Sequence, residues 1–375
     1  MADFDAIIIG AGHNGLACAA FLSREGWRVL VIEQASEVGG GVRSDVQTLP
    51  GFCNDRYATN FSLFANSPAY TELRSEFDAH GVKFLRSDHP YASIHGAEAI
   101  RVFADGDRTE QSLARLNRSD ASGWRELTAF YRRVGPSLGP LFSTELPSVA
   151  AVRRSAALVA GNRIGDTVKL ARMLAQSSTE FARQFLSSPD AISILQAWGY
   201  HLDFPPEKAG GAMFAFVSAM SAAVHGMRLV EGGAGCISRA LAAMIGENGG
   251  EVRTGCSVQE VVISRGRAVA VKTAAGDEIS AGRAIVANVT TARIFGGLVE
   301  ASKLPDRFVK RASAFQVWPG NVYHPSGAGT LTDMGCGVAI SRIFLTSTSI
   351  PRRTTSAIPM LPAFRDCFRN GPCLS

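Results

Sequence analysis

The 375-residue sequence predicts an α/β protein in which a parallel sheet is interrupted by a long, mostly helical insertion. Near the N-terminus, the short β-branched run Ala6–Gly10 is followed by a glycine-rich turn, a helical pattern and a second buried strand. Between Pro68 and about Met227 the pattern changes to helical stretches punctuated by prolines. From Gly232 onward, helix and strand patterns alternate again. We therefore predict one sheet domain that the insertion splits in sequence.

The local patterns assign each element in turn. Before the insertion we predict a strand over Ala6–Gly10, a helix over Leu16–Arg24 and a strand over Arg28–Glu33. Within it we predict helices over Trp124–Arg133, Asp166–Gln176 and Thr179–Leu186, with prolines such as Pro136 and Pro140 separating the elements. After it we predict a helix over Cys236–Ile245 and strands over Glu251–Thr254, Val258–Ser264, Ala268–Thr273 and Ala284–Asn288.

These elements give a discontinuous domain, residues 1–65 plus 226–295, that carries the sheet. A helical substrate domain is predicted over 66–225, and 296–314 is expected to return towards it. For 315–375 the sequence has no sustained helical period, and we predict an irregular tail there.

Composition excludes several functional classes. Hydrophobic residues make up 46% and charged residues 19% of the chain, which is typical of a globular protein. The net charge of +5 is not concentrated in one basic cluster, which argues against nucleic-acid binding. The seven cysteines are odd in number and contain no C-x-x-C, so neither a disulfide framework, a metal site nor a redox-active dithiol is indicated, and reduced, mostly buried thiols are expected.

The expected location is cytoplasmic. The N-terminus lacks the basic and apolar regions of a secretory signal, and the longest uncharged stretch, Ala209–Val224, is shorter than the ~20 residues of a membrane span. That stretch could line a lipophilic substrate tunnel or simply be core. Val152–Met173 is basic and amphipathic, which fits either a solvated helix face or peripheral contact with an anionic membrane.

The chemical signal lies in the first 45 residues. Gly10, Gly12 and Gly15 follow the first strand in the spacing G-x-G-x-x-G, and Glu33 ends the second strand 18 residues after Gly15. Such glycines permit a tight turn, close approach of the backbone to a pyrophosphate and packing of the helix on the sheet, while the acid accepts hydrogen bonds from a ribose. A dinucleotide site is predicted. A 2'-phosphate would meet the charge of Glu33, which disfavours NADP and leaves NAD and FAD.

A second glycine run, Gly39-Gly40-Gly41, followed by Arg43, distinguishes these two cofactors. A further glycine loop beyond the ribose-binding acid lets the backbone approach a longer cofactor, and an arginine can meet phosphate or flavin oxygens with its planar donors. The alternatives are a flexible surface turn and a solvated arginine. The combination favours FAD.

The segments "IIIGAGHNGLACAAFLSREGWRVLVIEQASEVGGGVRS", Leu49–Phe64 and Leu229–Asn288 resemble the phytoene desaturase-like branch of the FAD-dependent amine oxidase superfamily over residues 5–310. His13-Asn14 between the glycines is similar to one group within that branch. The resemblance implies a Rossmann-type, glutathione-reductase-like FAD-binding domain. It also implies FAD contacts from Gly10, Gly12, His13, Asn14, Gly15, Glu33, Gly39, Gly40 and Arg43, with the backbone of Val258 beside the adenine.

The function that the resemblance implies is FAD-dependent oxidation, desaturase-like or oxidase-like, in which a hydride passes from a small, lipophilic substrate to the flavin. Because the flavin performs the electron chemistry, no catalytic side chain is assigned, and His201 and Asp203 are interpreted as loop residues rather than an acid–base pair. Two alternatives stay open. One is an NAD-dependent dehydrogenase. The other is a truncated, non-catalytic nucleotide-binding remnant, because the glycine-rich C-terminal segment of the family is not recognisable beyond about Ala314.

Overall fold

A computed structural model of the chain describes residues 2–46, 50–95, 98–142, 144, 147–202 and 204–314. The predicted tail over 315–375 and Asp203 lie outside the described residues. Within that range the chain forms two compact units. The first comprises the N-terminal segment to Phe84 together with the chain from Leu229 onward, and the second comprises Leu85–Arg228.

Strands and helices alternate through the first unit, whereas helices dominate the second. The strands are β1 (Phe4–Ile9), β2 (Val29–Ile32), β3 (Ser44–Asp45), β4 (Asn54–Asp55), β5 (Phe84–Ser87), β6 (Tyr91–His95), β7 (Glu98–Val102), β8 (Met227–Val230), β9 (Glu251–Arg253), β10 (Val258–Ser264), β11 (Arg267–Thr273) and β12 (Glu278–Ala287). The helices are α1 (His13–Arg24), α2 (Ser62–Ala65), α3 (Pro68–Glu72), α4 (Arg74–Ala79), α5 (Gly106–Ala114), α6 (Arg118–Phe142), α7 (Val149–Gly161), α8 (Ile164–Met173), α9 (Ser178–Ala182), α10 (Pro189–Gly199), α11 (Ala212–His225), α12 (Gly235–Glu247), α13 (Thr291–Arg293) and α14 (Asp306–Ser313).

The first unit is built on a six-stranded sheet in the order β10-β11-β12-β1-β2-β9. Strands β12, β1, β2 and β9 run parallel, and β10, β11 and β12 form an antiparallel extension. The long strand β12 serves both parts, since its Ser280 pairs with Ala270 of β11 and its Ile285 pairs with Ile7 of β1. This confirms the predicted α/β fold with a sheet assembled from both ends of the insertion.

Alternate residues of the central strand β1 are buried on opposite faces of the sheet, as the two-residue period of a strand requires. Ala6 and Ile8 pack in one cluster with α1 and α12, and both are 0% exposed. Ile7 and Ile9 pack in another with residues of β10 and β11. Burial of a Leu- or Ile-sized side chain stabilises a fold by about 1.5–3 kcal/mol, so the apolar run of β1 accounts for its central place.

The boundaries of the first unit differ from those expected from the sequence. Tyr70, Leu73 and Phe77 of the α3–α4 segment are buried with α1 and α12, which groups residues 66–84 with the sheet unit rather than with the insertion. Leu298 and Val299 pack with the strands of the sheet, so 296–314 also belongs to the first unit. The aromatic residues of α3 and α4 fit either unit by composition, and only their contacts decide.

The second unit has its own core, formed mainly by α6, α9, α10 and α11. The prediction that Pro136 and Pro140 separate elements was wrong, because both lie inside α6. Phe130, Val134 and Leu138 repeat at four-residue spacing along α6 and are buried, and this packing outweighs the loss of backbone hydrogen bonds at the prolines.

Helix α11, which contains most of the uncharged stretch Ala209–Val224, contributes to the same core. Phe216 and Met220 are 0% exposed and pack with the other core residues. This agrees with the core interpretation of the stretch for these two residues.

We predict that Gly123→Ala destabilises the second unit strongly. A Cβ at Gly123 would lie 1.6 Å from the backbone oxygen of Phe185, so α6 would have to separate from that segment, at a cost of about 3 kcal/mol or more. The free energy of urea unfolding, followed by fluorescence of the buried Trp124, measures the effect.

The matched control is Gly165→Ala in α8, where a Cβ meets no atom within 4 Å. This variant should be neutral or more stable by about 1 kcal/mol, because alanine favours helix. Equal effects of the two substitutions would contradict the predicted packing of α6.

Candidate cofactor-binding site

The carboxyl ends of the parallel strands meet at one edge of the sheet, and the residues that follow them are bridged by backbone hydrogen bonds. The amide of Gly10, after β1, donates to the carbonyl of Ile32 at 2.7 Å. The amide of Asn288, after β12, donates to the carbonyl of Ile9 at 2.8 Å. In open α/β sheets this edge is where ligands bind, so the predicted site lies at the expected place.

The turn from β1 into α1 depends on its glycines. Gly10 has a φ of +97°, which favours glycine. A Cβ at Gly15 would lie 2.4 Å from the carbonyl oxygen of Gly10, and one at Gly12 would lie 2.9 Å from Nδ2 of Asn288. The turn is therefore compact in a way that side chains at these positions would prevent.

Helix α1 begins at His13, three residues before the predicted start, with Gly12 as the N-cap residue. Gly12 supplies no side-chain cap, so His13 and Asn14 present the amides of the first turn towards the sheet edge. The positive end of the helix dipole favours an anion there. Desolvation of the imidazole lowers the pKa of His13 from its ordinary value, while the residue itself lies exposed at the surface beside the turn.

The carboxylate of Glu33 is fixed beside this turn rather than directed into solvent. Its Oε2 accepts from the amide of Ala11 at 2.7 Å, and its Oε1 accepts from the amide of Ala35 at 2.9 Å. The side chain is half-buried. A carboxylate can accept about four hydrogen bonds, so both oxygens keep lone pairs for hydroxyl donors.

The second glycine run packs directly against the first. The amide of Gly39 donates to the carbonyl of Ala11 at 2.7 Å, and Gly39 forms a parallel bridge with Gly12. A Cβ at Gly40 would lie 3.1 Å from Cα of Gly12, so the two backbones touch. Gly39 is buried against the first loop, and Gly40 lies at the surface in contact with Gly12.

Arg43 is partly exposed at the end of this second loop. Its Nε donates to the carbonyl of Gly40 at 3.2 Å, so the side chain folds back along its own loop. The preceding residue is anchored to the sheet unit, because Oγ of Ser238 in α12 donates to the carbonyl of Val42 at 2.9 Å.

Val258, the first residue of β10, is 5% exposed and packs in the cluster that contains Ile9 and Ile32. The segment before it runs along the Glu33 side of the turn. The amide of Cys256 donates to the carbonyl of Glu33 at 2.9 Å, and that of Gly255 donates to the carbonyl of Ala35 at 2.7 Å. The residues just before Val258 are therefore hydrogen-bonded to the segment that contains Glu33.

Asn288 is a site residue that sequence reasoning missed, having treated it only as the end of a strand. Its Nδ2 lies 3.3 Å from the carbonyl oxygen of Gly10, to which it donates, and it limits the space at Gly12 and Gly15. The available signal was its position, since it is the first residue after a buried parallel strand and must reach the same edge as Gly10.

His201 stacks on Trp198, with 5.2 Å between the ring centroids, in the second unit. Among the described residues, no three His, Cys, Asp or Glu side chains are grouped as metal ligands. Within the same residues, each helix is too short or too polar to cross a bilayer.

The sequence is similar to those of several known proteins over most of its length. The pyridine nucleotide-disulfide oxidoreductase domain-containing protein 2 of Rattus norvegicus is 26% identical over 344 residues, covering 83% of this chain and 57% of that protein. The 4,4'-diapophytoene desaturase (4,4'-diapolycopene-forming) of Methylomonas sp is 23% identical over 300 residues, covering 80% of this chain and 56% of that protein. The chain thus spans about half the length of the curated relatives it matches.

A redesigned putrescine oxidase has a similar fold, with a TM-score of 0.50, 20% identity and coverage of 83% of this chain and 63% of that one. The family described as flavin containing amine oxidoreductase matches residues 15–293, which include the insertion and parts of the sheet unit on both sides of it. These findings confirm the predicted Rossmann-type FAD-binding fold and the resemblance to the phytoene desaturase-like branch. The chain belongs to the flavin containing amine oxidoreductase family.

Proposed function

We propose that the protein is an FAD-dependent oxidoreductase that takes a hydride from a C–H or C–N bond of a small, lipophilic molecule. The observation that carries this proposal is the contact between the two glycine loops beside Glu33. A single glycine turn fits many nucleotides, whereas two backbones packed together form a longer cradle suited to a larger dinucleotide. When bound, FAD supplies the two-electron acceptor, and the protein's part is binding, orientation and exclusion of water.

The pyrophosphate would lie at the N-terminus of α1. Gly12 lacks a side-chain cap, which leaves the first-turn amides, including those of His13 and Asn14, available to phosphate oxygens. Because the positions of Gly10, Gly12 and Gly15 exclude a Cβ, the backbone itself forms the wall of the cradle. These features fit an anionic diphosphate.

The adenosine half would lie beside Glu33. The carboxylate is held by the amides of Ala11 and Ala35, so it is already oriented before a ribose hydroxyl arrives. The backbone that leads to Val258 runs along the same segment and supports its proposed place beside the adenine. The negative charge of Glu33 would repel a 2'-phosphate, which favours FAD or NAD over NADP.

The flavin half would extend past Gly39 and Gly40 towards Arg43. Gly40 is exposed and Gly41 would meet no atom with a Cβ within 4 Å, so the far side of this loop is accessible. The guanidinium of Arg43 is partly exposed and retains donors beyond its contact with Gly40. This second loop is why we favour FAD over the NAD-dependent alternative.

The substrate class rests on the relatives. A 4,4'-diapophytoene desaturase is among the proteins that the chain matches over 80% of its length. A carotenoid precursor is a lipophilic molecule with no ionisable group, and its oxidation would need no acid or base from the protein.

We predict that Glu33→Gln weakens FAD binding by about 1.5–3 kcal/mol, because a neutral amide replaces a charged acceptor. The dissociation constant, measured by titrating the protein with FAD and following flavin fluorescence, should rise about tenfold to a hundredfold. Glu37→Gln, an exposed acid four residues further along the same loop, is the control and should leave the constant unchanged.

Two results would oppose the proposal itself. One is the absence of flavin absorption bands in the purified protein even after reconstitution with FAD. The other is quenching of tryptophan fluorescence by NADH but not by FAD, which would favour an NAD-dependent dehydrogenase.

We predict that FAD binds more tightly as the pH falls towards and below the ordinary histidine pKa of about 6.5. Desolvation lowers the pKa of His13 in the free protein, and an adjacent pyrophosphate would raise it. The complex would then hold more protons than the free protein between these two pKa values, so binding takes up a proton and lower pH favours it. The slope of log Kd against pH should be smaller in His13→Asn. An unchanged slope in that variant would show that His13 does not interact with the diphosphate.

We further propose that α7 and α8 rest on an anionic membrane surface, where a lipophilic substrate would be met. Six large apolar side chains of this segment are at least half exposed: Val149, Val152, Val159, Ile164, Val168 and Leu174. Arginines at 153, 154, 163 and 172 are exposed among them. Exposed apolar residues interspersed with basic ones are typical of interfacial helices.

The one acid of this segment strengthens the argument. Asp166 is buried and accepts from Arg133 through two hydrogen bonds of 2.9 and 3.0 Å. This contact lowers the pKa of Asp166, and the carboxylate is neutralised within the unit. The outer face of α7 and α8 thus combines positive charge with apolar area.

We predict that the protein floats with vesicles that contain anionic lipid. The affinity of the double variant V152S/I164S for these vesicles should be lower by about tenfold or more, because each substitution removes apolar area that the membrane would bury. Leu63→Ser removes an 87% exposed leucine from the first unit and serves as the control. Binding to purely zwitterionic vesicles should be weaker and that to anionic ones salt-sensitive. Equal loss in both variants, or no flotation, would contradict the membrane surface.

A further inference from the structure

We propose that Cys53 and Cys236 form a redox-active pair that closes to an intramolecular disulfide on reaction with a low-molecular-weight disulfide. The two residues are 183 positions apart and show none of the close spacing typical of redox cysteines. The spacing argued against such a pair, but the fold of the first unit brings the two thiols together. The proposal concerns the chain's own thiols and does not depend on the FAD site.

Both thiols are free and share one hydrogen-bond acceptor. Sγ of Cys53 lies 3.6 Å and Sγ of Cys236 lies 3.5 Å from the carbonyl oxygen of Gly232, to which both donate. The two sulfur atoms can therefore be no further apart than the sum of these distances. A disulfide requires a bonding distance of about 2 Å, so the two side chains have to move closer before the bond forms.

Two glycines lie directly beside the sulfur atoms. A Cβ at Gly233 would lie 3.0 Å from Sγ of Cys53, and one at Gly232 would lie 3.4 Å from Sγ of Cys236. Gly232 and Gly233 have φ values of +74° and +90°, in the region that favours glycine. Any larger residue would crowd the thiols.

The segments that carry the two cysteines are held together by contacts that do not involve sulfur. Oδ1 of Asp55 accepts from the amide of Ala234 at 2.7 Å and from Oγ of Ser44 at 2.6 Å. Oγ of Ser44 in turn accepts from the amide of Gly235 at 2.8 Å. These hydrogen bonds hold β3 and β4 against the first turn of α12. The two thiols are therefore kept close by the surrounding backbone and do not depend on their own contacts.

The environments of the two thiols suit an ordered exchange. Cys53 is exposed and is the accessible first target of an external disulfide such as oxidised glutathione. Cys236 is half-buried, and Nη2 of Arg239 lies 3.1 Å from its sulfur. This guanidinium offsets negative charge on the sulfur during its attack on a neighbouring disulfide.

The exchange balances in two steps. The Cys53 thiol loses its proton and attacks glutathione disulfide, forming a mixed disulfide and releasing one glutathione thiolate, which takes up the proton. The Cys236 thiol then loses its proton, attacks the Cys53 sulfur and releases the second glutathione in the same way. The two protein thiols are oxidised by two electrons, and one glutathione disulfide is reduced to two thiols.

Peptide mapping tests the proposal on the full chain. Protein incubated with oxidised glutathione, alkylated and digested with trypsin should yield peptide 44–56 joined to peptide 229–239, each of which contains one cysteine. Two thiols per chain should be lost, and dithiothreitol should restore both. Cys53→Ser or Cys236→Ser should abolish the joined peptide.

Cys256→Ser, which removes another half-exposed thiol of the same unit, should leave the joined peptide unchanged. Cys18 should stay unmodified, because burial raises the pKa of its thiol to about 12. The pair is refuted if Cys53 and Cys236 carry glutathione adducts that never convert to the joined peptide, or if either is joined to Cys256 or only between chains.

Discussion

The site depends on one contact, the hydrogen bond from the amide of Gly39 to the carbonyl of Ala11, which holds two glycine-rich backbones against each other. Neither segment could approach so closely if it carried side chains, since a Cβ at Gly40 would already lie 3.1 Å from Cα of Gly12. The contact converts two separate loops into one continuous surface of backbone. The packing of two loops is what distinguishes this edge of the sheet from a single glycine turn.

Glu33 illustrates how such a surface is ordered without a ligand. Its carboxylate joins the amides of Ala11 and Ala35, so the acid links the turn after β1 to the segment after β2. A buried or half-buried carboxylate with fixed donors has little freedom left to lose when another donor arrives. The same interaction therefore stabilises the edge of the sheet and fixes the carboxylate of Glu33 in place.

The first strand, the glycine turn and the acid that follows could be predicted from sequence, because each depends on residues close together in the chain. The apolar run of β1, the glycine spacing and Glu33 lie within 33 residues, and each reflects a requirement of its own backbone. Residues whose role comes from distant contacts could not be recognised in this way. Asn288 reaches Gly10 across 278 positions.

The errors have the same origin. Pro136 and Pro140 indicate helix breaks by their local chemistry, yet α6 continues through them because its buried face is satisfied by the rest of the unit. For the same reason the first unit extends beyond its predicted boundary at residue 65, because Tyr70 and Phe77 pack against α1 and α12. In both places, the free energy gained by burying side chains exceeded the local preference of the sequence.

The double pairing of β12 bears on how the chain acquires its shape. During synthesis β1 emerges first, but its neighbour β12 follows only after more than 270 intervening residues have left the ribosome, as the pairing of Ile7 with Ile285 requires. Until then one side of β1 has no partner, and its backbone groups are open to incorrect pairing. The helical unit, whose contacts are local by comparison, can form during this interval. The order of the elements therefore means that the parallel sheet can be completed only after the helical unit has been synthesised.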